Sequence, residues 1–182
     1  MIFVAIIVPI LLAGLSFIAL LKLVGKDRFS YSLDLGLNFQ GKRIFGMNKT
    51  IKGPVVMAFF TGIYGLLLVY ILKLEVAPGF TAMKYFYSYS WVGLAYSLGE
   101  LPNSFIKRRL SIPPGGISKR EKERHFFTVL DTFDSLLACG VAYSIFFKFP
   151  ASVILISILI GGCLHLLTDR LMIVLRLKAR SE

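Results

Sequence analysis

Two acidic residues, Asp131 and Asp134, interrupt an apolar stretch that is long enough to cross a lipid bilayer. The stretch covers residues 126–147 and reads FFTVLDTFDSLLACGVAYSIFF. Carboxylates three residues apart on a helix point to the same side. Each acid would cost about 2.5–3.5 kcal/mol at the bilayer centre, with no obvious gain to folding. We therefore expect the pair to bind a metal ion, a basic partner, or both.

The composition is typical of a membrane protein with several spans. Of the 182 residues, 56% are hydrophobic and 17% are charged, and the mean hydropathy is +0.73. Soluble domains carry about 25% charged residues. We therefore expect an all-α, polytopic integral membrane protein that forms a single transmembrane domain over residues 1–182. Cys139 and Cys163 both fall in apolar segments, which predicts reduced packing residues and no zinc site.

Five segments have the length and hydropathy of transmembrane helices, at about 20 residues each. They are residues 1–24, 54–73, 85–105, 127–147 and 151–172. The third segment is the least apolar, because it contains several serines and Glu100 and depends on aromatic residues for its apolarity. Its first residues carry three tyrosines and a tryptophan, which suit an interfacial aromatic belt.

The distribution of basic residues predicts the orientation. If the N-terminus faces out, the inner regions are the loops 25–53 and 106–126 and the tail from 173. Counting Lys22 and Arg170 at the membrane edge as inside, these regions hold 18 of the 21 Lys and Arg residues. The positive-inside rule therefore predicts an outer N-terminus, an inner C-terminus and a multi-pass protein of the cell membrane.

This orientation brings four acids toward the cytoplasmic face from three different helices. They are Glu100, Asp131, Asp134 and Asp169. Because two strongly basic loops lie beside them, we expect a site facing the cytoplasm in which acids hold a cation and basic residues hold phosphates.

The first inner loop alternates glycines with basic and polar residues in the sequence DLGLNFQGKRIFGMNKTIKGP. Glycines let a backbone approach an anion closely, and Lys and Arg supply charge. The candidate phosphate contacts are Lys42, Arg43, Asn48, Lys49, Thr50 and Lys52. A basic loop that rests on anionic lipid head groups is the competing interpretation.

The second inner loop and the fifth span add further candidates. Lys107, Arg108 and Arg109 form a cluster that either binds phosphate or marks the end of the third span. His165 and Asp169 are four residues apart and share a helix face, with Thr168 beside them. The histidine is either a structural residue or, with the aspartate, orients a ligand.

Four segments in this order resemble a known family. They are GKRIFGMNKTIKG, LGELPNSFIKRRLSIPPG, VLDTFDSLLACGVAY and LHLLTDRL, which are distributed over residues 41–171. The chain resembles the CDP-archaeol synthases, which are akin to the CDP-diacylglycerol synthases. The resemblance implies transfer of a cytidylyl group from CTP to the phosphate of a membrane lipid, with release of pyrophosphate.

The resemblance also implies roles for particular residues. Asp131 and Asp134 match the family's magnesium ligands, and Glu100 stands where the family has Asp. The resemblance therefore implies Mg²⁺ as the cofactor, with these three acids as its ligands. Lys107 joins these three acids as a catalytic candidate. The expected nucleotide and phosphate contacts are Lys42, Arg43, Asn48, Lys49, Thr50, Lys52, Ser104, Arg108 and Arg109. His165, Thr168 and Asp169 are expected to support them.

Three positions depart from the family pattern. Met47 and Glu100 stand where the family has Asp, and Asp169 stands where it has Asn. These departures are consistent with another lipid acceptor or with weakened or lost activity. A CTP-dependent lipid or polyprenol kinase, a non-catalytic lipid-binding member and an ion-coupled transporter are competing hypotheses. The expected partners are CTP, a lipid phosphate and the bilayer, with a homodimer implied by the family and no nucleic acid.

Overall fold

Five helices make up most of the chain that the structure, a computed structural model, describes. It describes residues 1–25, 30–74, 76–116, 118 and 120–174, apart from the side chains of 169, 172 and 173. The helices are α1 (Ile2–Val24), α2 (Lys52–Ile71), α3 (Ala82–Arg109), α4 (Glu121–Phe147) and α5 (Ala151–Val174).

Four of these helices are long and apolar enough to cross a membrane, judged by length and composition within the described residues. They are α1, α2, α4 and the part of α5 from Ala151–Thr168. Their length and composition are typical of a multi-pass membrane protein. The third predicted span corresponds to α3, which has the length but not the apolarity, so its crossing stays a prediction.

The low hydropathy of α3 follows from its position in the fold. It packs against both α2 and α4, and its polar residues Ser88, Asn103 and Ser104 are buried between helices. Thr81 caps its start by accepting a hydrogen bond from the backbone N–H of Lys84 at 3.3 Å. A helix whose polar face meets protein needs less apolar surface than a helix surrounded by lipid.

An aromatic cluster closes one end of the bundle. The rings of Tyr89 and Phe147 lie 4.8 Å apart, and Phe80 lies 5.8 Å from Phe147. The Tyr143 hydroxyl donates to the carbonyl of Ile6 at 2.7 Å. These contacts place the N-terminal part of α1, the start of α3 and the end of α4 together. The polar loops lie at the opposite end.

The loop between α1 and α2 contains a small hairpin that the all-α prediction did not include. Its strands, β1 (Asn38–Phe39) and β2 (Lys42–Arg43), pair in antiparallel fashion. At the base of the loop, Ser32 and Thr50 form an isolated antiparallel bridge. The hairpin escapes sequence analysis because two-residue strands show no period-2 alternation.

The second polar connection is shorter than predicted. We expected a loop over 106–126, but α3 continues through Arg109 and α4 begins at Glu121, so the connection covers 110–120. The basic cluster at residues 107–109 therefore lies on the last turn of α3, where cations complement the helix dipole.

Candidate active site

The acids of α4 line a cavity of about 590 Å³ that reaches all five helices. Asp131 and Asp134 are one turn apart on the same face of α4, and Glu100 joins them from α3. About half of the Asp131 side chain is exposed. The structure therefore brings together three of the four acids that the sequence singled out, while the side chain of Asp169 lies outside the described residues.

A buried amide lies between the two aspartates. The Asn103 Nδ2 atom donates to Asp131 Oδ1 at 2.6 Å and to Asp134 Oδ2 at 3.0 Å. The other oxygen of Asp134 accepts from the Ser135 hydroxyl at 3.2 Å. The Asp134 carboxylate is therefore held by neutral donors on both oxygens, and Asp131 shares one of those donors.

Two lysines lie on the carboxylates. Lys107 Nζ contacts both oxygens of Asp131, with 2.6 Å to Oδ2. Lys49, from the loop before α2, forms an ion pair with Glu100, whose other oxygen accepts from the Ser135 hydroxyl at 3.3 Å. The first loop, α3 and α4 therefore meet at this cluster of charges.

The donor set fits a magnesium ion that is completed by substrate. Within the described residues, no three His, Cys, Asp or Glu side chains lie close enough together to hold one ion. Glu100, the third predicted ligand, pairs with Lys49 and is not grouped with the two aspartates around one point. Asp131 and Asp134 remain as a pair whose oxygens share one amide nitrogen. Mg²⁺ usually takes one or two carboxylates together with substrate phosphates and water. A two-carboxylate site is therefore chemically sufficient.

Arg108 supplies a buried cation to the same cavity. It lines the cavity with only 8% of its surface exposed. Its Nε and Nη1 atoms are buried with no hydrogen-bond partner among the described residues. Burial lowers the pKa of the guanidinium, but arginine remains charged at neutral pH. Unpartnered guanidinium N–H groups in a cavity are suited to phosphate oxygens.

The first loop is organised by Asp34, a residue that the sequence analysis did not select. Asp34 is buried and accepts hydrogen bonds from the Arg43 side chain and from the backbone N–H of Gly46 at 3.0 Å and Phe45 at 3.2 Å. Burial alone would raise its pKa, but the Arg43 and backbone hydrogen bonds together hold that pKa well below its usual range. Arg43 therefore serves the loop structure in this state.

Lys42 and Arg109 join the two polar loops. Lys42 Nζ donates to the Arg109 carbonyl at 3.0 Å and to the Ser111 hydroxyl at 2.7 Å. Arg109 donates to the carbonyl of Phe39 and, at 2.7 Å, to that of Arg43. Both residues were predicted to contact phosphate, and the structure places both on backbone carbonyls outside the described cavity lining.

The remaining candidates of the first loop divide between cavity and surface. Asn48, Lys49 and Thr50 line the cavity. Lys52 begins α2 and is half-buried, outside the described lining. Met47, where the family pattern has Asp, is 68% exposed. Ser104 is buried beside Asn103 and also lies outside that lining.

His165 and Thr168 line the cavity from α5. The Tyr96 hydroxyl lies 2.9 Å from His165 Nδ1, and the Thr168 hydroxyl donates to the His165 carbonyl at 2.8 Å. Tyr96 therefore orients the imidazole across the gap between α3 and α5. The predicted partner Asp169 cannot be compared, because its side chain lies outside the described residues.

Farther from the acids, the cavity becomes apolar. Its walls there come from α1, α4 and α5, and include Ile6, Ile10, Ile154 and Ile158. One continuous cavity therefore combines a charged end near the loops with an apolar end inside the bundle. This is the arrangement that a molecule with a charged head and an apolar tail requires.

The sequence of the chain was compared with known protein families and their members. A family model described as CarS-like: CDP-archaeol synthase matches residues 2–180. The chain belongs to the CDP-archaeol synthase family. The resemblance predicted from the four ordered motifs is thereby confirmed.

Individual CDP-archaeol synthases are similar over most of the chain. That of Thermofilum pendens is 29% identical over 174 residues, which cover 94% of this chain and 76% of the relative. That of Pyrobaculum aerophilum is 33% identical over 155 residues, which cover 83% and 82%. A shorter match, to the CDP-archaeol synthase of Saccharolobus islandicus, is 35% identical over 85 residues, which cover 46% of each chain. No solved structure matches the chain.

Sequence reasoning missed two residues that shape this CDP-archaeol synthase family site, Asn103 and Asp34. Asn103 lies three residues after Glu100 and four before Lys107, so helical spacing alone places it on their face. Asp34 opens the glycine-rich loop, where a carboxylate often accepts backbone hydrogen bonds. The signals were present, but neither residue type indicates its partners.

Proposed function

We propose that this protein transfers the cytidylyl group of CTP to the phosphate of a membrane lipid and releases pyrophosphate. The observation that carries the proposal is the single cavity with carboxylates and the unpartnered Arg108 at one end and an apolar lining at the other, within the described residues. Because the relatives are named CDP-archaeol synthases, we propose an archaeal ether lipid phosphate as the acceptor.

The chemistry needs no protein nucleophile. An oxygen of the lipid phosphate attacks the α-phosphorus of CTP, and the bond from that phosphorus to the oxygen bridging to the β-phosphate breaks. Pyrophosphate leaves with that oxygen. The protein must bring two anions together and neutralise their charge. Arg108, Lys107 and Lys49 are the cations that line the cavity nearest the acids and would serve this purpose.

Asp131 and Asp134 are the residues that would hold Mg²⁺. When bound, the ion would screen the phosphates of CTP and polarise the α-phosphoryl group. Glu100, which pairs with Lys49, would set the position of that lysine from the first loop. The apolar part of the cavity would take the lipid chain.

The contact between the two polar loops supports a crossing by α3, and the basic residues of these loops support their cytoplasmic position. Because Lys42 touches Arg109, the loops before α2 and after α3 lie at the same end of the bundle. If α2 crosses the membrane, α3 must return across it. We propose five crossings in the cell membrane, with the N-terminus outside and the site facing the cytoplasm, where CTP is made. The homodimer implied by the family stays a prediction.

Product analysis with a lipid panel tests the proposed acceptor. Purified protein with Mg²⁺ and CTP is given an ether-linked lipid phosphate, its ester-linked counterpart or the free lipid alcohol, and products are identified by mass spectrometry. We expect a CDP-lipid from the ether phosphate, with one pyrophosphate released per product. A CDP-lipid from the ester phosphate alone would contradict the acceptor but not the reaction. No CDP-lipid from any acceptor would contradict the function itself.

A further inference from the structure

We propose that Asn103 is a positioning residue that fixes Asp131 and Asp134 as a pair from behind the cavity. This inference rests on the proposed function in one respect: it takes the role of Asp131 and Asp134 to be metal binding. Asn103 is 4% exposed and is not among the described residues that line the cavity, whereas both aspartates are.

The amide uses its donors on both aspartates. An Asn side chain has two N–H groups, and its one nitrogen lies within hydrogen-bond distance of an oxygen from each acid. One residue of α3 therefore sets the separation of two side chains of α4. Because the donor is neutral, it joins the carboxylates without cancelling the negative charge that would attract a cation.

Asp134 depends on this contact more than Asp131 does. Lys107 pairs with Asp131, but no Lys, Arg or His within the described residues lies within 4.0 Å of the Asp134 carboxylate. Its side-chain donors are Asn103 on Oδ2 and Ser135 on Oδ1. Without Asn103, Oδ2 of Asp134 would lose its described donor, and among the described residues only the backbone N–H and the hydroxyl of Ser135, both on Oδ1, would hold the carboxylate.

The carbonyl oxygen of the amide indicates that Asn103 contributes more to the arrangement of the site than to the stability of the fold. The Asn103 Oδ1 atom is buried and has no partner among the described residues, which is costly for a buried carbonyl. Rotating the amide by half a turn would not help, because the oxygen would then face two carboxylates. An apolar residue of similar size would remove this cost, but it would leave the aspartates unpositioned.

The test uses Asn103→Leu, which has a similar size but no donors, and Asn103→Ser, which is too short to reach both acids. Mn²⁺, used as the probe for Mg²⁺, is titrated against each purified variant in the presence of CTP and followed by electron paramagnetic resonance. Loss of an outer-shell partner typically weakens metal affinity by about 10- to 100-fold, so we expect that loss in both variants. The Mg²⁺ concentration needed for half-maximal transfer should rise in parallel.

Thr61→Val is the matched control. Thr61 is fully buried and its hydroxyl also lacks a partner among the described residues, but it lies on α2 away from the acids. This variant should bind Mn²⁺ like the wild type. If Asn103→Leu and Asn103→Ser also bind Mn²⁺ like the wild type and change only the melting temperature, Asn103 is structural and the inference fails.

The two proposals fail separately. If the wild type forms no CDP-lipid but Mn²⁺ binding still weakens in the Asn103 variants, the proposed function is wrong and the positioning role stands. If the wild type forms CDP-lipid and the variants keep normal Mn²⁺ affinity and Mg²⁺ dependence, the function stands and the positioning role is wrong.

Discussion

At the residue scale, lysines occupy the carboxylates that the reaction would need. Lys107 contacts both oxygens of Asp131, and Lys49 pairs with Glu100. A cation that binds Asp131 must therefore compete with a lysine side chain that is only 13% exposed. The phosphates of CTP offer these lysines new partners, so nucleotide and metal are expected to favour each other's binding.

Replacing Lys107 should separate metal binding from activity. In Lys107→Met, Asp131 loses its competing cation, so Mn²⁺ should bind more tightly than in the wild type when CTP is absent. Cytidylyl transfer should fall by about 100- to 1,000-fold, because a charge that stabilises the transition state is lost. Mn²⁺ titration without nucleotide, followed by a transfer assay, measures both effects.

The control for this prediction is Lys84→Met, which removes the same charge from the first turn of α3, at the opposite end of that helix. It should leave both quantities unchanged. Weaker Mn²⁺ binding in Lys107→Met than in Lys84→Met would contradict the idea that Lys107 competes with the ion.

Much of this residue-scale chemistry could be predicted from the sequence, because acids in an apolar segment are costly unless they bind something. The residues that each charged side chain contacts could not be predicted. Lys42 and Arg109 have the same charge as Lys107 and Arg108, yet they bind backbone carbonyls of the facing loop. The side chain that faces the cavity is set by the rotation of α3 about its axis where it packs against the hairpin. Residues far apart in the sequence determine that packing.

At the element scale, the first loop is held by Asp34 and the contact between α3 and α4 is held by Gly99. The loop carries Asn48, Lys49 and Thr50 to the cavity. A methyl group added at Gly99 would lie 2.9 Å from the carbonyl oxygen of Asp134. Both residues therefore affect the site without lining it.

Asp34→Asn should destabilise the protein by about 1–3 kcal/mol at neutral pH, because buried donors lose their charged acceptor. The lowered pKa of Asp34 means that its stabilising effect is complete above its unfolded pKa of about 3.9. The effect is lost as pH falls below about 4 toward the folded pKa. Thermal unfolding in detergent should thus show a gap between wild type and variant that narrows below pH 4.

The matched control for Asp34 is Glu121→Gln, because the Glu121 side chain is 77% exposed. Its unfolding should differ from that of the wild type by less than about 0.5 kcal/mol at any of these pH values. A gap for Asp34→Asn that is unchanged from pH 7 to pH 3 would contradict the charged role of Asp34.

Gly99→Ala should separate α3 from α4 at the acids, because the added methyl would lie 2.7 Å from Ala138 Cβ and 2.9 Å from the Asp134 carbonyl oxygen, and neither atom can rotate away. Overpacking of this kind typically costs about 1–3 kcal/mol. We expect a lower melting temperature together with weaker Mn²⁺ binding. Gly14→Ala is the stability control, since an added methyl meets nothing within 4 Å there. An equal melting temperature in the two variants would contradict the close packing of α3 against α4 at Gly99.

At the scale of the whole molecule, the fold places charge at one end of the bundle and aromatic packing at the other. Hydropathy predicts α1, α2, α4 and α5 well because lipid requires apolar surface. It cannot settle α3, whose polar faces meet α2 and α4. The two-residue strands of the hairpin could not be predicted from the sequence either, because long-range hydrogen bonds from Arg109 stabilise them.

Labelling of single cysteines tests the orientation and the crossing of α3. In a background with Cys139 and Cys163 replaced by Ala, new cysteines are placed at Leu37, Pro78 and Leu110, which are exposed in three different connections. An impermeant thiol reagent applied to intact cells should label only the Pro78→Cys protein. Labelling at positions 78 and 110 from the same side would show that α3 does not cross.

The most direct test of cytidylyl transfer is the fate of each phosphate of CTP. Purified protein, Mg²⁺ and the lipid phosphate are incubated with CTP labelled at either the α or the γ phosphorus, and label in the lipid fraction is counted. Asp131→Asn and Asp134→Asn serve as controls and should lose at least about 100-fold in rate, as expected when a metal site is removed. We predict that α label enters the lipid and γ label leaves as pyrophosphate. Entry of γ label alone would contradict the account and identify a kinase.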